Sequence, residues 1–278
     1  MTARKRALPY GWYPASAADC ERDISDFLRG FTPPEGAWLG GVAPHAGWYF
    51  SGRAAARVIR TLAASAKPDR VVLYGGHLPA HGDPVIYTED SWETPMGPQA
   101  MDRAFAEDLA SRGDALRASP GFDDNTVEVL LPFVKHFFPT TPIVAVHAPS
   151  STRAVRLAEA VYSRLQEKGL SAVYIGSADL THYGPNYGFS PKGTGEEAVR
   201  WVKEVNDRSL IDKALAMDVQ GLLDDASFRH NTCSAGPIAS VLASVAGYGS
   251  KRGSLIEYYT SYDVMPNSSF VGYAGMVF

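Results

Sequence analysis

Short apolar runs rich in β-branched residues recur along the chain, most of them closed by Gly, Pro, Ser or His. Leu39–Ala43, Val71–Tyr74, Ile143–Val146 and Ala172–Ile175 are of this kind, and Leu255–Thr260 and Phe270–Val277 follow near the end. Unbroken runs of this length read as strands, several of them covered on both faces. Between them the apolar spacing changes to three and four. Ser16 predicts the cap of a helix through Leu28, stopped by Gly30. Gly52 opens a helix over 53–64. Ser150 or Ser151 caps another in which Val155, Leu157, Ala158, Val161 and Leu165 share one face up to Gly169. A long helical pattern runs from Gly195 to near Ala216, and Gly236–Tyr248 is small and apolar enough to be a buried helix.

Strands alternating with helices predict an α/β fold: a single domain over 1–278, with a mixed, mostly parallel sheet and helices on both faces. The last two runs predict an antiparallel addition. The Gly- and Pro-rich stretch Gly184–Gly195 reads as a mobile loop inside that domain, because core-like segments resume on both sides.

Composition narrows the function classes. The net charge is −4, so no basic excess exists to neutralise phosphates, and nucleic acid is not expected as a main partner. Cys20 and Cys233 are the only cysteines, too few for a secreted disulfide framework. The basic N-terminal residues are followed by no apolar run, and no segment is apolar for long enough to span a membrane. The expected compartment is the cytoplasm, with no membrane contact.

The polar residues at strand ends carry the chemistry. His45 follows the first strand, His77 the second and His147 the third, while Asp179 and His182 follow the fourth. In a parallel sheet the C-terminal strand ends share one edge, where ligand crevices open. Imidazole and thiolate suit zinc, iron and copper. Cys233 stands just before an apolar helix, whose N-terminus favours thiolate. Each residue also has a plainer reading: a buried hydrogen-bonded histidine, a small core cysteine, or Asp179 as a helix-entry cap. Asn125–Thr126–Val127–Glu128 resembles a capping box, and Glu128 is either part of that box or a base. His81, His136 and His230 read as surface or capping residues. Tyr10, Trp12, Tyr13, Trp48 and Tyr49 would line an aromatic groove or pack the core. The joint placement of polar residues at strand ends is what points to a site.

In order along the chain, YGWYPAS, VAPHAGWYFSGRAAA, YGGH, DDNTVEVLLPF, GSADLTHYG, NTCSAGPI, YYTSYD and SSFVGYAG resemble segments of the MEMO family, whose bacterial members are called AmmeMemoRadiSam system protein B. The resemblance runs nearly end to end. It implies a fold similar to class III extradiol dioxygenases, which hold non-haem iron with two histidines and a carboxylate. It also implies a cysteine in the carboxylate's place, hence metal ligands His45, His77 and Cys233, with Asp179 and His182 lining the same pocket. Three positions depart from the family pattern: Asn125 stands where the family has His, Gly76 where it has Ser, and Ser234 where it has Gly. Asn125 cannot carry a proton as imidazole does.

Three functions follow as expectations. The first is a dioxygenase-like oxidoreductase holding a metal ion, with iron favoured and copper or zinc admitted, in which His182 is the acid/base and Asp179 orients it. The second is a zinc hydrolase with His182 or Glu128 as base. The third is a non-catalytic module binding metal or a peptide. A Cys233–His pair acting as a thiol nucleophile is a smaller fourth. The partner is expected to be a small molecule or peptide, and the resemblance implies an association with a radical-SAM protein.

Overall fold

The computed structural model describes residues 2–119 and 124–278, so Asp123 of the acidic motif lies outside the described residues. Four strands form the centre: β1 (Gly40–Ala43), β2 (Arg70–Gly75), β3 (Ile143–His147) and β4 (Ala172–Ser177). They are parallel and lie in the order β1-β4-β2-β3. β6 (Phe270–Val277) adds antiparallel to β1, and β5 (Ser254–Thr260) pairs antiparallel with β6. The antiparallel addition expected from the last two runs is therefore present, and the sheet is mixed with a parallel core. Two-residue strands at Val85–Ile86, Leu116–Arg117 and His182–Tyr183 extend it. A separate small sheet joins Ala3–Arg4, Ser91–Trp92 and Gln99–Ala100.

The continuous apolar runs are continuous because both faces are covered. Val72, Tyr74, Val144, Val146 and Tyr174 face α3 (Thr152–Glu167) and α4 (Ala235–Ala246). Their neighbours Val71, Leu73, Ile143, Ala145, Val173 and Ile175 face the other way, toward Val58, Ile59 and Leu62 of α2 (Trp48–Ser65) and toward Phe133. α1 (Ala17–Phe27), capped by Ser16 as its sequence predicts, packs outside α2. Two glycines let α4 lie directly on the sheet. A Cβ at Gly176 would stand 2.7 Å from the Pro237 carbonyl oxygen, and one at Gly236 would stand 2.3 Å from that of Pro149. This close approach fixes the start of α4 at the C-terminal strand edge, two residues after Cys233.

The helical pattern read from Gly195 to Ala216 is one helical stretch with a wide turn inside it. α-Helix over Glu196–Trp201 passes through a π-helical segment, Val202–Asn206, into α-helix over Asp207–Leu215. Helices over Arg103–Arg112 and Val219–Arg229 were not evident from the pattern. Among the described residues no helix is long and apolar enough to cross a membrane.

Candidate metal centre

The C-terminal ends of the parallel strands bring their polar residues to one place. His45 follows β1, and its backbone N–H donates to Asp179 Oδ1 at 2.7 Å, joining the β1 and β4 ends. Its ring Nδ1 lies 3.0 Å from Ser177 Oγ. The Ser177 hydroxyl donates its own hydrogen to the Thr126 carbonyl at 2.5 Å, so its oxygen can only accept from the ring. Nδ1 of His45 therefore carries the hydrogen, and Nε2 is left with a lone pair.

His77 follows β2 across two glycines. Gly76 has φ +96°, and a Cβ there would stand 2.7 Å from the His147 ring, so the turn requires glycine. A serine here would not fit this backbone. His77 Nδ1 lies 3.0 Å from Asp124 Oδ2. A carboxylate only accepts, so the tautomer is the same as in His45. A partner that fixes the tautomer of a metal-binding histidine in this way is the usual outer support of such sites.

The two free nitrogens and the Cys233 sulfur converge. Nε2 of His77 lies 3.2 Å from Nε2 of His45, and Cys233 Sγ lies 3.3 Å from the same His45 atom. All three donor atoms lie within 4.8 Å of one another. Bond lengths of about 2.0–2.1 Å to nitrogen and about 2.3 Å to sulfur would separate the donors by about 3.3 and 3.6 Å at tetrahedral angles, and by about 2.9 and 3.1 Å at right angles. The His45–His77 and His45–Cys233 separations fall between these limits, as expected of donors that share an ion.

Electrostatics agree. Burial alone would push the Cys233 thiol up, but the charge and hydrogen bond of His45 and the hydrogen bond of His77 outweigh it and hold the group down at about 5. Burial works against a charged His45, yet Asp179 and the Cys233 sulfur raise it to about 9. The Asp124 hydrogen bond, aided by Cys233, raises His77 to about 10. Two nitrogens this close cannot each point a proton at the other, so the cluster calls for one shared cation, a proton or a metal. Asp124 keeps its charge: burial opposes ionisation, but His77, His147 and Thr126 hold its carboxyl well below the usual range.

The two histidines open onto a cleft of about 420 Å³. His45, His77, Asn125, Asp179 and His182 line its polar side, and Trp12, Phe50, Tyr187, Met265 and Tyr273 its apolar side. His45 is buried, whereas the His77 side chain is 40% exposed and forms the accessible rim.

His182 reaches the cleft but is not oriented by Asp179. Its Nδ1 donates to the Leu180 carbonyl at 3.1 Å, and its ring meets Tyr187 edge to face. Asp179 instead holds the His45 backbone, and its carbonyl accepts from Thr232 Oγ1 at 2.7 Å. Nor does it cap a helix, since a short strand follows. Asn125 donates its amide to the His45 carbonyl at 3.1 Å, and the cap of its helix is Asp124. Glu128 is buried and lies away from the cleft. Its carboxylate accepts from Ala7 N, Leu8 N and Tyr13 Oη, which ties down the N-terminal segment and engages both oxygens. His147 is buried behind Gly76, where burial lowers it to about 4. His81, His136 and His230 are exposed. Of the aromatic group, Trp48 is core, Trp12 lines the cleft, and Tyr10 and Tyr49 are exposed.

Sequence reading missed the supporting residues. Ser177, Asp124 and Thr126 fix the histidines. A buried set below them fixes the loops: Asp207 accepts from Thr181 N at 3.0 Å, from the Thr181 hydroxyl and from Tyr258 Oη at 2.8 Å. Asn206 Nδ2 donates to Thr181 Oγ1, and Asn231 Nδ2 donates to the Asn206 carbonyl, both at 3.0 Å. One hint was available in the sequence: a polar pair, Asn206–Asp207, inside an otherwise amphipathic helix.

A family model described as "Memo-like protein" matches residues 4–277. A "MEMO1 family protein" of Methanosarcina acetivorans is 31% identical, with 100% of this chain and 99% of that one covered. Another, of Pyrobaculum aerophilum, is 32% identical over 100% of this chain and 99% of its own length. A third, of Methanopyrus kandleri, is 33% identical, covering 86% of this chain and 82% of its own. Among solved structures, an uncharacterized protein of Escherichia coli K12 superposes with a TM-score of 0.49 at 14% identity, over 80% of this chain and 91% of that one.

Proposed function

The chain belongs to the Memo-like protein family, and from that premise we propose that it is a metal-dependent oxidoreductase of dioxygenase-like type acting on a small molecule, with His45, His77 and Cys233 as ligands and iron as the favoured ion. One observation carries the reading: two imidazoles whose Nδ1 atoms are committed to Ser177 and Asp124 turn Nε2, and Cys233 its sulfur, toward one point beside an accessible cleft. A bound iron would supply redox chemistry and open positions for oxygen and substrate.

The chain's own residues do the rest. His182, with Nδ1 committed to Leu180, offers Nε2 as the proton acceptor toward the cleft. Asp179 keeps His45 in place and puts a negative charge 3.9 Å from its Nε2. Trp12, Phe50 and Tyr273 exclude water from one side of the substrate. Asn125 serves as a strut, so proton transfer falls to His182.

The test is anaerobic purification, loading with Fe(II), and oxygen uptake with a panel of catechol-type compounds. Uptake lost in His182→Gln while iron stays bound supports the reading; no uptake across the panel overturns it. The donor spacing also suits zinc with a fourth position left for water. Stoichiometric zinc in protein grown with both metals, together with esterase or amidase activity, would establish hydrolysis instead. Co-purification with a radical-SAM protein would test the partner that the family implies.

A further inference from the structure

The donor cluster is reached from two sides. Behind the cleft lies a second hollow of about 460 Å³, lined by His182, Tyr187, Phe189, His230, Thr232 and Cys233. His182 and Tyr187 border both spaces, while Cys233 lines the second alone. We propose that this hollow is a separate binding site for a flat aromatic ring carrying an N–H or O–H donor, seated against the sulfur side of the metal centre.

The walls set the shape. His182 and Tyr187 meet at 89°, with centroids 4.9 Å apart, and Phe189 and His230 meet at 74° and 5.9 Å. A flat ring lying parallel to one member of such a pair stands edge-on to the other, and both arrangements are favourable for aromatic pairs. The hollow also leaves aromatic surface in water: Tyr187 is 47% exposed and His230 is exposed. An inserted ring covers that surface.

The polar atoms set the donor requirement. The Thr232 hydroxyl spends its hydrogen on the Asp179 carbonyl and its oxygen accepts from Ser234 N at 3.3 Å, which leaves that oxygen one further acceptor position. Nδ1 of His182 donates to the Leu180 carbonyl, so this ring presents its edge and face to the hollow and keeps Nε2 for the cleft. A ring with a donor can add a hydrogen bond to the remaining acceptor position of Thr232 Oγ1, which a ring without one cannot. The reading rests on the proposed function only in linking the ring to a reaction, because the site itself is built without a metal.

Indole and N-methylindole share a ring and differ in the donor. Titrated into the full chain, as purified and after chelator treatment, indole is expected to shift Tyr187, Phe189 and His230 aromatic NMR signals saturably in both samples. N-methylindole should bind about fivefold more weakly. Phe189→Ala and His230→Asn should each weaken indole by about tenfold, while Tyr49→Ala leaves it unchanged. His230 has φ +53°, which Asn tolerates, so that variant keeps the backbone if Phe189→Ala fails to fold. Equal binding of the two indoles, or indole shifts unmoved by His230→Asn, overturns the proposal. Metal content measured on the same samples reports separately on the metal centre, so the two readings can fail independently.

Discussion

At the scale of single residues, the site depends on two side chains that never touch the ion. Ser177 and Asp124 decide which nitrogen of each histidine is free. Ser177→Ala is expected to weaken metal binding by about 10–100-fold, by releasing the ring from its tautomer, as isothermal titration with zinc or iron would show. Cys233→Ser should lose more, and His81→Ala nothing; if the two variants retain metal alike, the ligand assignment fails. The pH dependence follows from the same atoms. The thiol sits low, at about 5, and the imidazoles high, at about 9 and 10. Between those values the sulfur is already free, whereas protons on the imidazoles compete with the metal. Affinity should therefore rise with pH across that range, with proton release detectable by buffer-dependent calorimetry. Affinity that is flat from pH 6 to pH 8 would contradict this.

At the scale of elements, the long strands and the capped helices could be read from the sequence, because a parallel sheet covered on both faces needs unbroken apolar runs and Ser16 and Ser151 do cap. The strand-end histidines could be read for the same reason. The π-segment before Asp207 could not: one wider turn changes the phase of a helix without changing its composition. That turn brings Asn206 and Asp207 into the interior together, where they hold Thr181, one of the two residues between Asp179 and His182. Asp207→Ala strands three donors and should cost about 2–4 kcal/mol in urea unfolding. Burial raises the Asp207 carboxyl to about 6, against the hydrogen bonds that favour its charge. A folded-state value above the unfolded one means that the folded chain takes up the proton first. The stability this group contributes is thus present below about pH 4 and lost as pH rises through 6, so the gap between wild type and Asp207→Ala should widen on acidification. A gap that narrows would show the sign to be wrong.

At the scale of the whole molecule, Glu128 shows how a carboxylate can look catalytic in sequence and serve as a fastener. It clasps Ala7, Leu8 and Tyr13 from 115 to 121 residues away, and the clasped segment delivers Trp12 to the cleft wall. No local pattern encodes so distant a bond, which is why its role was not legible. Glu128→Ala should loosen residues 5–13, seen as faster amide exchange and early proteolysis there, with metal content unchanged; loss of metal would instead place Glu128 in the site. The uneven exposure of the two histidines has a further bearing on how an ion comes and goes. His45 is fixed between strand ends, and Cys233 is fixed by the start of α4, whereas His77 stands at the rim on its two-glycine turn. An incoming ion would be caught by the fixed pair and latched by the outer ring. A chelator would lift that latch first, so exchange should speed up when His77 is removed even before equilibrium occupancy falls.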